Sequence, residues 1–333
     1  MVLKLNELNT KFAPILCKKS TFSTENLFPN RTRFSLYSTW ILFDRYFSYI
    51  CSNQWIWITF VTILVLAYGL LIRLFFKEAD IQTSGCLGYD EDFYSSESTF
   101  KTFLALISTI KYSILISVFF ILLLSVPSAY SLFSELPLFF NEHRNGWFST
   151  GSFLVMKTIT DILPLVVPIA GFVYIIDIYH RSGFYWHLLL NLLLSVLVSQ
   201  ASFHVFLIIF DEILGCICIE VLYLVNVLLS NVALPVAEVP VLDFLSQGTL
   251  LRHSFEAIML RLYGFGRCGE REIQPLLIYM KLNEADYWNK LLVMLANFAF
   301  WKFLTLYILM RKSKNKKRFS DQQPMQISTV LET

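Results

Sequence analysis

Several long stretches of this sequence contain no charged residue, and they limit its fold more than any other feature. A helix needs roughly 20 apolar residues to cross about 30 Å of hydrocarbon. Only helices and closed barrels satisfy their backbone hydrogen bonds in lipid, and the alternating pattern of barrel strands is not seen. The sequence therefore predicts an all-α membrane protein with six transmembrane helices. The expected spans are 55–72, 112–134, 162–176, 184–210, 213–237 and 291–310.

Composition supports the same class. Of 333 residues, 56% are hydrophobic and 31 are Phe, which is more apolar surface than one soluble core could bury. The remainder is expected to face lipid. A formal net charge of +2 indicates no nucleic-acid partner.

The distribution of basic residues predicts the orientation. An even number of spans puts both termini on one side, and the basic segment 311–318 marks that side as cytosolic. The segment 239–290 should then be external, although it contains Arg252, Arg261, Arg267 and Arg271; longer external segments obey the rule less strictly. The sequence thus predicts a multi-pass membrane protein with cytosolic termini, in the plasma membrane or an endomembrane.

The remaining segments complete the expected organisation. Residues 1–33 show no sustained period and are expected to be a disordered cytosolic lead-in without a signal peptide. Residues 34–50 have helical apolar spacing that suits an amphipathic helix on the membrane interface. The transmembrane domain is expected over 51–311, with an external loop at 239–288 that holds a helix or helix pair. The tail 312–333 is basic and then polar, either an anchor to anionic lipid or a plain stop-transfer flank.

Ionisable residues within or beside the spans are the candidate functional residues, because a charge in lipid costs a few kcal/mol and usually faces the bundle interior or water. Glu220 interrupts the fifth span, where it either lines a cavity or bonds to a neighbouring helix. Glu135, Lys157 and Asp161 flank the segment between the second and third spans. They form either a charge-paired cluster that couples a cytosolic event to helix movement or ordinary charges at the membrane edge.

Catalytic motifs are missing from the sequence. A Walker A loop ends in Gly-Lys-Ser/Thr, yet none of the 12 Gly is followed by Lys. Zinc-protease, serine-hydrolase and Cys-x-x-Cys motifs are equally absent, and the His residues lack metal-ligand spacing. We therefore expect no enzyme activity and no cofactor bound by this chain. Cys86 and Cys268 fall in expected external segments, where a disulfide within or between chains is one alternative.

Two blocks of sequence resemble the transmembrane domain of the White-like G subfamily of ABC half transporters. The first covers 134–149, with a Glu-x-Pro-x-Phe element, then Glu-His and Phe-Ser, followed by Lys157-Thr158 and Asp161. The second covers 230–240 and 252–265, with elements similar to the Arg-Tyr-x-Phe-Glu and Ile-Tyr-Gly of that family. The resemblance extends over about 34–314 and implies a type-2 ABC exporter fold.

The resemblance also implies a dimer that exports a lipophilic substrate, namely a lipid, sterol or pigment precursor. ATP and Mg²⁺ would be bound by a nucleotide-binding domain on another chain, and the dimer partner would be either an ABC half transporter or a second copy of this chain. It implies substrate contacts at Phe119, Phe120, Leu123, Leu224 and Val227, to which Glu220 is added, and a valve at Val232 and Ala233. The implied coupling residues are Glu135, Glu142, His143, Lys157 and Asp161.

The sequence departs from the family pattern at three places. Only about 33 unpatterned residues stand where the family carries its ATPase domain, Glu220 is acidic where relatives usually are not, and Cys268 is alone in its loop. A truncated or incomplete half transporter, acting at most as a membrane partner or scaffold, is therefore the alternative. An ion channel is disfavoured because no span carries regularly spaced charges.

Overall fold

The fold is described by a computed structural model that covers most of the chain. The described residues are 34–49, 55–75, 87–88, 97–122, 126–180, 185–210, 212–230, 239–264, 272–273, 277–278, 282 and 286–322. Almost all of them are helical, and the exception is a two-residue antiparallel pair of β1 (Leu87–Gly88) with β2 (Glu272–Ile273). The helices are α1 Leu36–Tyr49, α2 Trp55–Phe75, α3 Glu97–Leu122, α4 Val126–Arg144, α5 Thr150–His180, α6 Tyr185–Ile209, α7 Glu212–Leu228, α8 Pro240–Ser246, α9 Leu250–Tyr263 and α10 Tyr287–Gln322.

Four of these helices are long and apolar enough to cross a membrane. Two shorter apolar segments, Ile107–Leu122 in α3 and Leu214–Leu228 in α7, overlap parts of the second and fifth expected spans. This pattern fits a multi-pass membrane protein. The four long segments are Ile58–Phe75, Thr150–Ile176, Tyr185–Ile209 and Tyr287–Ser313.

The second expected span, 112–134, is described on both sides of residues 123–125, which lie outside the described residues. Helix α3 ends at Leu122 and α4 begins at Val126. Pro127 stands in the first turn of α4, where its missing N–H group costs no helical hydrogen bond.

Helix α6 is the centre of the bundle. In its most apolar stretch of 18 residues 72% are buried, against 17% in the corresponding stretches of α2 and α10, whose outer faces are open. Helices α3, α4, α5, α7, α9 and α10 all pack on α6. Residues such as Leu192, Ala201 and Ile208 are therefore enclosed by protein on every side.

Helix α1 confirms the expected helix at 34–50 but divides its apolar residues between two faces. Thr39, Leu42 and Tyr46 are buried, spaced three and four residues apart, and α1 packs on α5. Trp40 and Phe47 are 65% and 44% exposed on the outside. One face of α1 therefore holds the bundle, and the other presents aromatic side chains suited to a membrane interface.

The segment expected to hold an external helix or helix pair contains α8 and α9, and α9 is more enclosed by protein than a helix on a membrane surface would be. Almost every residue of α9 is buried, including Arg252, His253 and Glu256. It packs against α10, α6 and α3. The apolar stripe in the sequence did not reveal that the polar side of this helix is also enclosed.

Close contact between α2 and α5 depends on two glycines. A Cβ atom on Gly69 would lie 3.0 Å from the Cδ2 atom of Phe172, and one on Gly171 would lie 3.0 Å from the Cδ2 atom of Leu66. Side chains at these positions would push the helices apart.

We expect Gly69→Val to destabilise the protein by about 1–3 kcal/mol, the usual cost of overpacking. Ala67→Val is the matched control, because Ala67 lies two residues away on the exposed face of α2. Thermal unfolding in detergent would measure both variants. Equal melting temperatures would contradict the close packing of α2 on α5.

Candidate functional site

A buried ionic cluster joins α4, α5 and α6. Its centre is Lys157, whose side chain is only 2% exposed. The Lys157 Nζ atom lies 3.1 Å from Glu135 Oε2 and 2.9 Å from Asp161 Oδ1, and it donates a hydrogen bond to the Ser131 hydroxyl. Because Asp161 is four residues after Lys157, both side chains lie on one face of α5. We call Glu135, Lys157, Asp161 and His204 the buried cluster.

His204 connects this cluster to the central helix. Its Nε2 atom lies 3.5 Å from Asp161 Oδ2, and its side chain is 1% exposed. Lys302 of α10 also interacts electrostatically with Asp161, and its ammonium group lies 5.8 Å from the centre of the Phe298 ring. The buried cluster and Lys302 together bring ionisable side chains from four helices close to one another.

Glu135 is the one member of the buried cluster that lies outside the apolar spans, and its pKa is shifted by its surroundings. Burial raises the pKa of Glu135 to about 7, although the nearby Lys157 ammonium opposes the rise. Desolvation of the carboxylate therefore outweighs its attraction to Lys157. Near neutral pH, Glu135 can exist in either protonation state.

A second ion pair attaches α1 to the end of α4. The Arg45 guanidinium donates two hydrogen bonds to Glu142, with Nη1–Oε1 and Nη2–Oε2 distances of 2.6 Å and 2.9 Å. This bidentate hydrogen bond raises the pKa of Arg45 further. Arg45 is also 5.7 Å from the centre of the Phe148 ring. We call Arg45 and Glu142 the α1–α4 pair.

The turn between α4 and α5 is built around His143. The His143 Nδ1 atom lies 2.7 Å from the carbonyl oxygen of Phe148, which closes the turn. Gly146 has a φ angle of +75°, a conformation that favours glycine. The Ser149 hydroxyl accepts a hydrogen bond from the backbone N–H of Ser152 at 3.1 Å and so caps the start of α5.

The two ionic sites are neighbours. Glu135 and Glu142 are two helical turns apart on α4, and Tyr46 of α1 interacts electrostatically with both carboxylates. Burial raises the pKa of the Tyr46 hydroxyl, which keeps it neutral. The five residues expected to act in coupling, Glu135, Glu142, His143, Lys157 and Asp161, therefore lie together at the α4–α5 junction.

The described residues that were expected at a substrate cavity differ in their surroundings. Phe120 is fully buried and packs on Phe172, with ring centres 4.7 Å apart. Phe119 stacks on Tyr68 at 3.6 Å. Leu224 is 59% exposed.

Glu220, by contrast, lies on an open face of α7. It is exposed, and within the described part of the chain it has no hydrogen-bond or ion-pair partner. Val227, two turns further along, is half-buried. An interhelical bond from Glu220 within this chain is therefore not seen among the described residues.

Other expected site residues lie outside the described residues. They are Leu123 for the substrate, Val232 and Ala233 for the valve, and Cys86 and Cys268 for the disulfide. In the described part of the chain, no group of three or more His, Cys, Asp or Glu side chains is placed to hold a metal ion.

A further buried ionic network, centred on Arg252 of α9, was not predicted. The Arg252 guanidinium lies 2.8 Å from Glu256 and 2.7 Å from Asp243, and Lys290 lies 2.6 Å from Glu256. We call these four residues the α9 network. The i,i+4 spacing of Arg252 and Glu256 was a usable signal, but their apolar neighbours suggested a helix half in water.

Comparison with known proteins does not assign this chain to a family. No family model matches the sequence, and no curated protein matches it significantly. The fold and the ionic sites thus define a multi-pass membrane protein with a buried ionic cluster.

Removing different members of the buried cluster should have unequal effects. Lys157→Met would leave Glu135 and Asp161 as unpaired buried carboxylates, so we expect a loss of about 3–5 kcal/mol in unfolding free energy. Glu135→Gln keeps the Lys157–Asp161 pair and removes a carboxylate whose burial is costly, so at pH 7 it should not lower the free energy of unfolding. Unfolding in detergent would measure both. Equal losses would contradict the central role of Lys157.

The pH dependence of the same variants provides a second check. Because the pKa of Glu135 is raised from 4.5 to about 7 in the folded protein, its contribution to stability is complete below pH 4.5 and is lost as pH rises to about 7. The wild-type melting temperature should therefore fall relative to that of Glu135→Gln over this range. Parallel pH profiles would show that Glu135 titrates normally.

Proposed function

We propose that this chain is the membrane-spanning permease half of a White-like G-subfamily ABC exporter. It would move a lipophilic substrate such as a lipid, sterol or pigment precursor, while another chain binds and hydrolyses ATP. The observation that carries the proposal is the α4–α5 junction. There, the residues on which the first sequence resemblance rests form two adjacent ionic sites that join α1, α4, α5 and α6.

The contacts at this junction are suited to transmit a displacement from a domain bound at this end of the bundle to the helices. The bidentate Arg45–Glu142 pair makes α1 and the end of α4 move together. Lys157 then connects α4 to α5, and Asp161 connects α5 to His204 on α6. Displacement of the turn near His143 would therefore reach the central helix without passing through a mobile loop.

In this proposal, α2, α3 with α4, α5, α6, α7 and α10 are the six spans, and both termini are cytosolic. The open face of α7 supports assembly as a dimer. Ile217, Val221 and Leu224 on this helix are each at least 50% exposed, beside Glu220. Because a lipid-exposed carboxylate is costly, a cavity shared with a second half transporter is a better environment for Glu220 than lipid.

The α1–α4 pair provides a test of coupling. Arg45→Glu and Glu142→Arg each place two like charges together, so either variant, assembled with an ATPase-bearing half transporter, should lose most ATP-dependent transport of a fluorescent lipid in proteoliposomes. The double variant restores opposite charges and should recover a substantial part. The chain alone should show no ATPase activity.

The outcomes separate the candidate functions. Full transport by both single variants would contradict coupling through this pair. No transport by any assembly would favour an inactive half transporter or scaffold. ATP hydrolysis by the isolated chain would overturn the division of labour.

The environment of Glu220 provides a test of the cavity. Glu220→Gln removes a charge with little change in volume, and we expect it to change the relative transport rates of neutral and cationic lipid analogues by several fold. Cys216→Ser is the matched control, since Cys216 is exposed one turn earlier on α7. Unchanged selectivity in Glu220→Gln would place Glu220 outside the transport path.

A further inference from the structure

The last helix does not end where its apolar segment ends. The apolar segment of α10 stops at Ser313, but the helix continues to Gln322. At 1.5 Å per residue, positions 314–318 extend about 7.5 Å along the helix axis beyond this apolar segment. We call positions 311–318 the extension, and six cations lie on it, at Arg311, Lys312, Lys314, Lys316, Lys317 and Arg318.

The base of the extension is fixed to the bundle by Lys312. Its ammonium group donates to the carbonyl oxygen of Ile208 and lies 3.4 Å from that of Ile209. These carbonyls are at the end of α6, where the helix dipole favours a cation. The position of Lys312 relative to the membrane boundary is therefore set by α6.

The basic residues of this extension have no acidic residue among them, whereas several cations inside the bundle are paired with a carboxylate. Arg45, Lys157 and Arg252 each have a carboxylate within 3 Å. Segment 311–320 contains no Asp or Glu, so its charge is not neutralised by neighbouring residues in the sequence. In helical register, positions 311, 314, 317 and 318 fall within an arc of about 120°.

We propose that the 311–318 extension of α10 binds the headgroups of anionic phospholipids in the adjacent leaflet. The complementary charge must lie within about a Debye length of the membrane boundary, roughly 8 Å at physiological salt. Anionic headgroups occupy that layer, and each nearby Lys or Arg strengthens such binding by about fivefold. This inference does not rest on the proposed transport function.

The purified full chain in detergent would be mixed with equal amounts of phosphatidylserine and phosphatidylcholine, and bound lipids would be counted by native mass spectrometry. We expect a several-fold preference for phosphatidylserine that weakens at high salt. The variant Lys314→Gln/Lys316→Gln/Lys317→Gln should lower this preference to near parity. A matched control, Arg267→Gln/Arg271→Gln/Lys281→Gln, removes three charges before the other end of α10 and should retain it.

Three results would overturn the proposal. They are equal binding of both lipids by the wild type, an unchanged preference in the α10 variant, and an equal loss in the control variant. Displacement of the lipid by inorganic phosphate at constant ionic strength would be a fourth such result, because the extension would then bind a free phosphate anion rather than a phospholipid headgroup.

Discussion

The arrangement of this bundle depends on a buried ammonium group. Lys157 lies within an apolar helix and is almost fully enclosed, a position that costs several kcal/mol unless carboxylates compensate the charge. Asp161 lies on the same helix as Lys157, so this contact does not fix α5 against another helix. Glu135 on α4 contacts Lys157, and His204 on α6 contacts Asp161, so these two contacts join α5 to its neighbours. The need to neutralise one charge therefore fixes the relation of three helices at the α4–α5 junction, more specifically than apolar packing in a membrane could.

The α9 network likewise combines an ion pair within one helix with a charge from another helix. Arg252 and Glu256 form an i,i+4 pair on one helix, and Lys290 of α10 completes it from a distant position. Helix α6 connects the regions, because the Asn191 amide donates to the Ser254 carbonyl of α9 at 3.0 Å and His204 contacts the buried cluster. Movement of α6 would therefore disturb both sites, which is the property that a coupled transport cycle needs.

Run length and residue spacing predicted much of this structure. Uncharged runs identified the apolar helices, and the four-residue spacing of Lys157 and Asp161 indicated that their side chains share a face. Sequence reasoning could not determine what each helix packs against. The stripe of α9 was consistent with an interface or an interior, and only the positions of Asp243 and Lys290 show why its charges can be buried. Phe120 was similarly ambiguous, because an apolar side chain gives no sign of whether it faces a cavity or Phe172.

Glu220 is a residue whose presence is not explained by contacts among the described residues of this chain. The buried carboxylates at Glu135, Asp161 and Glu256 all have cations close by within the bundle. Glu220 is a carboxylate on an apolar helix with an open face, and no described residue pairs with it. Lipid would penalise this charge as strongly as a protein interior does. If α7 crosses the membrane, the surface around Glu220 must therefore be covered by protein or water, and the proposed dimer with a shared cavity supplies both.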